Sequence, residues 1–264
     1  MSRRTLSEQD VQPDRSESAG VATEPTWWGM HLREIRWQAE LARLLADPVW
    51  RHVDLPRGDG EPVLLIPGFL AGDQSLSVMA SWLRKLGYRP RRAGMSFNVA
   101  CSDIAVDRLE KVLAHAHLSS GRKVAIVGHS RGGHFARALA VRHPEQVSQV
   151  ISMGSGLDVP FDISEPTRLA VEGVRRMVAR RDPERAALGC FTHACLCRYA
   201  RDYRSPFPET VPLTSIYSKG DGVVRWRACV VPYARNVEVT GSHIGLAFNR
   251  YAYREIAHTL APST

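Results

Sequence analysis

Gly128-His129-Ser130-Arg131-Gly132-Gly133 is the stretch of this sequence that decides the fold. It follows the largely apolar stretch Lys123 to Val127, which predicts a strand, and it leads into Gly133 to Arg142, which predicts a helix. The spacing is G-x-S-x-G, in which small neighbours let strand and helix approach closely at a sharp turn that lifts a serine above the sheet. A plain glycine-rich turn is the alternative interpretation. In this context we expect Ser130 to be a nucleophile.

Strand and helix patterns alternate on both sides of this turn. The predicted strands are Pro62 to Phe69, Arg91 to Met95, Lys123 to Val127, Val147 to Met153, Leu213 to Ser218 and Asn236 to Val239. The predicted helices are Gln74 to Leu86, Asp103 to Ala116, Gly133 to Arg142 and Leu246 to Leu260. Strands that alternate with helices of this length indicate βαβ units. We therefore predict an α/β fold with a mostly parallel sheet flanked by helices.

One long connection interrupts this alternation. No strand pattern occurs between Gly154 and Pro212, although Leu169 to Arg181 is amphipathic and predicts a helix. A connection of this length within a compact domain usually has a function, such as covering a site. We interpret residues 155–212 as a helical lid or cap inserted over the carboxyl edge of the sheet.

The amino-terminal part of the chain divides into two predicted segments. Residues 1–24 hold three arginines and five acidic residues without apolar periodicity, which favours a disordered leader. Residues 25–61 comprise a predicted helix, Thr26 to Ala46, and a turn-rich segment that leads into the core. That helix either docks its aromatic face on the domain or lies on a membrane surface. The main domain is predicted to span residues 62–264.

Composition and charge exclude several classes of protein. The chain has 264 residues, of which 44% are hydrophobic, and a net charge of +8, unlike a disordered chain, a collagen or a disulfide scaffold. No apolar run approaches the ~18 residues that span a bilayer. The charge fits solubility or peripheral contact with anionic lipid, and the absence of any nucleic-acid-binding motif argues against nucleic acid. No apolar segment follows Arg3 and Arg4, so we expect no signal peptide and a cytoplasmic location.

A nucleophilic serine needs a base that is held in turn by an acid. Asp221 follows the predicted strand Leu213 to Ser218 between two glycines, and His243 follows the predicted strand Asn236 to Val239. We predict that Asp221 and His243 complete a triad with Ser130. The competing acids and bases, at other places in the chain, are Asp158, Asp162, His129, His193 and His258.

An oxyanion intermediate also needs hydrogen-bond donors. The predicted donors are the backbone N–H of Arg131, which follows the serine, and that of Phe69, with Leu70 as the alternate. Phe69, Leu70 and Val223 are then expected to line an apolar substrate pocket. Ordinary core packing at a strand end is the other interpretation of Phe69 and Leu70.

These motifs together resemble the α/β-hydrolase superfamily, within it bacterial lipases and esterases. The residues that carry the resemblance are Ile66-Pro67-Gly68-Phe69, Gly128-His129-Ser130-Arg131-Gly132-Gly133, Ser218-Lys219-Gly220-Asp221-Gly222 and Gly241-Ser242-His243. The resemblance covers Pro62 to Leu260, least closely in the insertion, and has the family's order of serine, acid and histidine. It implies a serine hydrolase that cleaves carboxylic esters through an acyl-enzyme, with no cofactor and no metal.

Two residues depart from the family pattern. Lipases often carry His-Gly where this chain has Pro67-Gly68, and Met, Leu or Gln is commoner at the position of Arg131. The Arg131 side chain is expected to face solvent or to pair with a carboxylate; alternatively it shifts preference towards an ester that bears a negative group.

The same triad also serves other functions. An acyltransferase or a thioesterase would use it with a different acceptor or substrate, and a non-catalytic binding module could keep the fold.

The cysteines allow three interpretations. Cys190, Cys195 and Cys197 lie near His193 within the insertion, and Cys229 follows later in the chain. Partly buried thiols, a disulfide from the insertion to Cys229 and a zinc site are the alternatives. Because Cys195-x-Cys197 is poor zinc-ligand spacing, no metal is predicted.

Overall fold

A six-stranded sheet runs through the centre of this computed structural model, which describes residues 34–261. Its strands are β1 (Pro62–Ile66), β2 (Arg89–Arg92), β3 (Val124–His129), β4 (Val147–Met153), β5 (Leu213–Tyr217) and β6 (Arg235–Glu238). All neighbouring strands are parallel, in the order β2-β1-β3-β4-β5-β6. This confirms the predicted α/β class and the parallel sheet. The carboxyl ends of β3, β5 and β6 therefore share one edge, where the candidate site lies.

Helices cover both faces of this sheet. They are α1 (Trp37–Ala46), α2 (Ser77–Lys85), α3 (Ser102–Ser120), α4 (Arg131–Arg142), α5 (Glu165–Arg181), α6 (Pro183–Ala187), α7 (Arg198–Arg204), α8 (Trp226–Cys229) and α9 (Arg250–Leu260). Side chains of β1 alternate between the faces: Leu64 and Ile66 pack with α3, α4 and α7, whereas Val63 and Leu65 pack with α1, α2 and α9. Because both faces are covered, β1 and β3 are buried at every residue.

Three predicted boundaries differ from the structure for identifiable reasons. The first strand ends at Ile66, before a proline, and the chain then turns through Leu70 at φ +60°. The predicted strand Arg91 to Met95 is instead Arg89–Arg92, whose basic residues protect the edge of the sheet against further pairing. The predicted helix Leu246 to Leu260 begins only at Arg250, because the Asn249 side chain caps it by accepting two backbone N–H groups.

The insertion is helical and only partly embedded. Residues 155–212 form α5, α6 and α7, and contribute one isolated bridge, Ile163 to Val224, but no strand of the sheet. Helix α5 buries a single side chain, Val174, whereas α7 buries Tyr199 and Tyr203 in the core. One end of the insertion is thus anchored and the other lies on the surface.

The amino-terminal predictions extend beyond the described residues. The leader, residues 1–24, and the first part of the helix predicted from Thr26 lie outside residues 34–261, and α1 begins at Trp37. Within the described range, no helix is both long and apolar enough to cross a membrane.

Candidate active site

Ser130 occupies a strained turn between β3 and α4. Its φ is +53° and its ψ is −124°, a conformation that costs of order 1–3 kcal/mol for a non-glycine residue. The turn is held because Ser130 N donates to Met153 O at 2.8 Å and Ser155 Oγ donates to Ser130 O at 2.7 Å. Gly132 allows the tight approach, since a Cβ there would collide with the carbonyl of Ile66. The strained turn therefore lowers the stability of the fold and in return places the Ser130 hydroxyl above the edge of the sheet.

Asp221 and His243 form a buried pair beside that turn. His243 Nδ1 lies 2.6 Å from Asp221 Oδ2, and both side chains are almost fully buried. Asp221 Oδ1 accepts the backbone N–H groups of Val223 and Val224, each at 2.8 Å. The carboxylate is thus fixed by three donors, and it fixes the ring of His243 with Nδ1 protonated and Nε2 available as a base.

The surroundings of His243 act on its pKa in opposite directions. Burial lowers it, whereas the charge and hydrogen bond of Asp221 and the charge of Glu34 raise it, and the net result is a pKa above the ordinary value. His129, whose ring centroid is 4.9 Å from that of His243, donates from Nε2 to the backbone carbonyl of His243 at 2.9 Å. Burial and the neighbouring His243 lower the pKa of His129 to about 4, so His129 supports the site as a neutral ring.

The competing acids and bases lie in other surroundings. Asp158 accepts from the hydroxyl of Tyr233, and Asp162 pairs with Arg225 at 3.2 Å. His258 is exposed on α9, and His193 packs edge-on against Phe161 in the insertion. The structure therefore pairs His243 with Asp221, whereas Asp158 and His193 line the cavity beside Ser130 but contact Tyr233 and Phe161.

No hydrogen bond joins Ser130 Oγ to His243 within residues 34–261. Such bonds are commonly loose without substrate and tighten in the complex. The Ser130 hydroxyl and the oriented His243 ring therefore lie at the same edge of the sheet without a preformed hydrogen bond between them.

Several backbone N–H groups near Ser130 have no acceptor in the described part of the chain, and two of them occupy the positions predicted for oxyanion donors. These two belong to Arg131, the first residue of α4, and to Phe69, in the oxyanion loop (residues 67–72) that follows β1. The amide of Leu70, the alternate prediction, donates to Asn98 O at 3.3 Å and is therefore already occupied. The structure thus favours Phe69 over Leu70 as the partner of Arg131 in an oxyanion hole.

Comparison with known proteins agrees with this architecture. Residues 61–186 match the family model for the alpha/beta hydrolase fold. This chain has the alpha/beta-hydrolase fold. A lipase of Bacillus licheniformis in its mature form aligns with a TM-score of 0.56 at 16% identity, over 80% of this chain and 96% of that one. A monoacylglycerol lipase of Paleococcus ferrophilus aligns with a TM-score of 0.53 at 14% identity, over 77% and 96%.

One curated relative is similar in sequence over a short region. A 2-hydroxymuconate semialdehyde hydrolase of Pseudomonas sp. (strain CF600) is 37% identical over 92 residues. These residues are 35% of this chain and 30% of the relative, so the match covers less than a third of that protein's length.

The side chain of Arg131 in this alpha/beta-hydrolase fold contradicts the expectation of a solvent-facing or salt-bridged arginine. It is 9% exposed and makes four hydrogen bonds to neutral acceptors, with no carboxylate partner within residues 34–261. The acceptors are Asn98 O, Asn98 Oδ1, Ala100 O and Ser102 Oγ, at 2.8 to 3.1 Å. Its guanidinium also lies over the rings of Phe135 and Phe191, at 4.9 and 4.7 Å. Burial lowers the pKa of Arg131 to about 10, which leaves the group cationic at neutral pH.

Asn98 is a site residue that sequence reasoning missed. Its side chain accepts from Arg131 and donates to Pro67 O at 2.9 Å, while its backbone N–H donates to Ala71 O at 2.8 Å. Asn98 therefore ties the oxyanion loop to the residue that follows the serine. No local pattern marks it, because it lies in a loop far from both motifs in the sequence.

A cavity of about 210 Å³ opens beside Ser130 beneath the insertion. Its lining is mainly apolar and aromatic and includes Phe69, Phe161, Val171, Phe191, Tyr199 and Val223. Phe69 and Val223, two of the residues predicted to line a substrate pocket, line this cavity. Leu70 does not line this cavity and is 49% exposed, because its amide bond to Asn98 and its positive φ turn it away. That prediction is wrong.

The five cysteines are all buried and carry thiols. Cys101 Sγ lies 2.9 Å from Cys190 Sγ, and Cys195 Sγ lies 3.0 Å from Cys197 Sγ. Cys229 Sγ is instead placed near Arg225 O, so the disulfide from the insertion to Cys229 is not seen. Among residues 34–261 there is no cluster of three His, Cys, Asp or Glu side chains that could hold a metal.

Proposed function

We propose that this protein is a serine hydrolase that cleaves carboxylic esters through an acyl-enzyme. Ser130 is the nucleophile, His243 the general base and Asp221 the acid that orients it. The observation that carries this proposal is the 2.6 Å bond from His243 to Asp221 at the same sheet edge as a serine on a strained turn. The two unoccupied amides of Phe69 and Arg131 support it, because acyl transfer needs donors for an oxyanion.

In the first half of the reaction, Ser130 Oγ forms a bond to the ester carbonyl carbon while its proton passes to His243 Nε2. The carbonyl electron pair moves to the oxygen, which accepts from the N–H groups of Phe69 and Arg131. Collapse of this intermediate breaks the carbon–oxygen bond of the ester, and the departing alcohol takes the proton from His243. Asp221 stabilises the imidazolium that forms between the two steps.

In the second half, water replaces the alcohol. His243 removes a proton from water as its oxygen attacks the acyl carbon, and the same two amides hold the second oxyanion. Collapse returns the proton to Ser130 Oγ and releases the acid. Every proton is returned within one cycle, so this chemistry uses only the residues named.

The cavity indicates the substrate class. An apolar acyl group of modest size fits a space of about 210 Å³ between Phe69, Val171 and the aromatic residues of the insertion. The aligned structures include lipases, which supports ester or lipid-like substrates. The site is beneath the insertion, so those helices control the access of water and substrate.

The test is turnover of p-nitrophenyl esters from acetate to laurate by the wild type, Ser130→Ala and a control, Ser119→Ala, at an exposed serine on α3. We expect turnover by the wild type and the control, best with short or medium acyl chains, and loss of about 10⁴-fold or more in Ser130→Ala. A fluorophosphonate should label Ser130 alone. Turnover retained by Ser130→Ala, or no turnover and no label in the wild type, would overturn the proposal.

The same assay separates hydrolysis from acyl transfer. Adding an alcohol or a thiol acceptor to the ester and measuring both products shows which nucleophile takes the acyl group. Free acid as the main product supports hydrolysis, whereas a transferred acyl group as the main product identifies a transferase.

A further inference from the structure

Glu34 is buried against the two loops that carry the proposed acid and base. It lies in a short 3₁₀ turn, Glu34–Arg36, just before α1, and is 8% exposed. Its carboxylate accepts three backbone N–H groups. Oε1 accepts from Gly222 at 3.1 Å and from His243 at 2.8 Å, and Oε2 accepts from Ile244 at 2.8 Å. A buried carboxylate needs such donors, and here all of them come from residues 188 to 210 positions later in the chain.

The three donors belong to two different loops. Gly222 follows Asp221 in the acid loop (residues 218–224), which comes after β5. His243 and Ile244 belong to the histidine loop (residues 240–245), which comes after β6. One carboxylate thus holds the backbone of both loops beside the side-chain bond from Asp221 to His243.

A second carboxylate from the same part of the chain binds Ser242, the residue that precedes His243. Glu40, on α1, accepts from Ser242 N at 2.9 Å and from Ser242 Oγ at 2.7 Å. Gly245 leaves room for this contact, since a Cβ there would collide with the Glu40 carboxylate. Three consecutive amides of the histidine loop therefore donate to glutamates from residues 34–46, and packing of Trp37 against Phe248 holds α1 in place.

We propose that Glu34 is a positioning residue, which holds His243 in register with Asp221 by binding the backbone of the acid loop and the histidine loop together. This inference rests on the proposed triad. Glu34 acts through backbone amides and through its charge, without contact with the substrate.

The negative charge of Glu34 should move the pKa of His243 in a direction that can be measured. The groups around the His243 ring are Asp221 from the acid loop, Glu34 from the 3₁₀ turn and His129 from β3, while Glu40 faces Ser242. Burial lowers the pKa of His243, and Asp221 and Glu34 both raise it. His129 remains neutral because its own pKa is about 4. Removal of the Glu34 charge should therefore lower the pKa of His243.

The experiment compares Glu34→Gln, Glu34→Asp and Glu40→Gln with the wild type. For each protein we would measure kcat/KM against pH, and follow the His243 imidazole by NMR against pH, assigned from a His243→Gln spectrum. Glu34→Gln loses the charge and at least one acceptor, because its amide nitrogen cannot accept. We expect its acid limb and its imidazole titration to move to lower pH by about 0.5 to 1 unit, with kcat reduced about tenfold.

The other two variants separate the effect of the Glu34 charge from the effect of a less firmly held histidine loop. Glu34→Asp keeps the charge but is one methylene too short to reach all three amides, so kcat should fall while the titration stays within about 0.3 unit of the wild type. Glu40→Gln loosens the same loop without removing a charge that acts on His243, so its titration should also stay near that of the wild type. Thermal unfolding of each variant establishes that the chain folds.

An unchanged titration in Glu34→Gln would overturn the proposal, as would an equal shift in Glu40→Gln. The NMR titration needs no substrate. A wild type without esterase activity would therefore refute the proposed function, while the NMR would still show whether Glu34 acts on His243.

Discussion

The imidazole of His243 donates from Nδ1 to Asp221 Oδ2 across 2.6 Å, and the other oxygen of that carboxylate is held by two backbone amides. Asp221→Asn should therefore keep the fold but offer an amide where the ring needs a carboxylate. The ring would adopt the wrong tautomer, and the imidazolium would lose its counter-charge. We expect kcat/KM for a p-nitrophenyl ester to fall by about 10³- to 10⁴-fold.

Asp162→Asn is the matched control for Asp221→Asn. Asp162 follows β4, as the competing acid would, but pairs with Arg225 and not with His243. The kcat/KM of Asp162→Asn should remain within about threefold of the wild-type value, since loss of a surface ion pair has a small effect. The opposite ranking of the two variants would assign the acid to the loop after β4.

The raised pKa of His243 predicts how activity depends on pH. Only the neutral ring accepts the serine proton, so activity is lost as pH falls through the pKa of His243. Because burial is outweighed by Asp221 and Glu34, that pKa lies above the ordinary value of about 6.5. The measurement is kcat/KM between pH 5 and 9, which should show one acid limb centred above pH 6.5. A limb centred below pH 6 would contradict the electrostatics of this site.

Asn98 should matter for the transition state more than for substrate binding. It joins Arg131 to the oxyanion loop, so Asn98→Ala would leave an Arg131 donor unmet and release Pro67 O. The Phe69 amide would then be poorly placed. Loss of one oxyanion donor costs about 10²- to 10³-fold in kcat, and misplacement of one should cost about 10- to 100-fold with little change in KM.

Inhibition by an alkyl boronic acid distinguishes this effect from general damage. Its affinity should fall in parallel with kcat in Asn98→Ala, because the boronate oxygen occupies the oxyanion position. Ser102→Ala removes a different Arg131 bond, away from the oxyanion loop, and should change both quantities less. Equal losses in the two variants would show that Asn98 does not position the oxyanion loop.

The sequence predicted those parts of the site that depend on local chemistry. The β3–α4 turn followed from two glycines around Ser130, and Asp221 and His243 followed from their places just after β5 and β6. Parallel strands bring their carboxyl ends to one edge, so residues 91 and 113 positions beyond the serine were expected there from strand order alone.

The parts that could not be predicted depend on long-range contacts. Glu34, Asn98 and the burial of Arg131 each involve residues distant in sequence, with no periodicity or spacing to mark them. Arg131 was expected to face solvent or to pair with a carboxylate, since arginines are rarely buried without such a partner. Carbonyl oxygens and aromatic rings replace its hydration here. The sequence does not reveal the positive φ of Leu70, which turns this residue away from the pocket where it was expected.

Three of the buried thiols should react slowly in the folded protein. The hydrogen bond between Cys190 and Cys101, together with burial, raises the pKa of Cys190. Burial and the hydrogen bond between Cys197 and Cys195 raise the pKa of Cys197 to about 12, and burial raises that of Cys229. At pH 8 these three are therefore protonated, and the thiolate is the reactive form.

Mass spectrometry after iodoacetamide treatment tests this directly. In buffer at pH 8, Cys190, Cys197 and Cys229 should remain largely unmodified over an hour, whereas in concentrated urea all should be alkylated. Rapid modification of Cys190 or Cys197 in buffer would mean that the insertion opens far enough to expose them.

Two glycine-to-alanine substitutions should have opposite effects on stability. A Cβ at Gly132 would overlap the carbonyl of Ile66 and lie 2.9 Å from that of Pro67, so α4 would have to move away from the end of β1. Both are backbone atoms that cannot rotate aside. Gly132→Ala should therefore lower the free energy of unfolding by about 3 kcal/mol or prevent folding. At Gly173, within α5, the added Cβ meets no atom within 4 Å from residues 34–261 other than the adjacent backbone of its own helix.

Gly173→Ala should accordingly stabilise the protein, because alanine favours a helix over glycine by about 1 kcal/mol, which corresponds to a rise in Tm of about 2–4 °C. Thermal unfolding of both variants measures the difference. If Gly132→Ala folds, its activity should be lower than its stability implies, since the approach of α4 to β1 sets the spacing between the amides of Arg131 and Phe69. A stable and fully active Gly132→Ala would show that this spacing is not what the oxyanion requires.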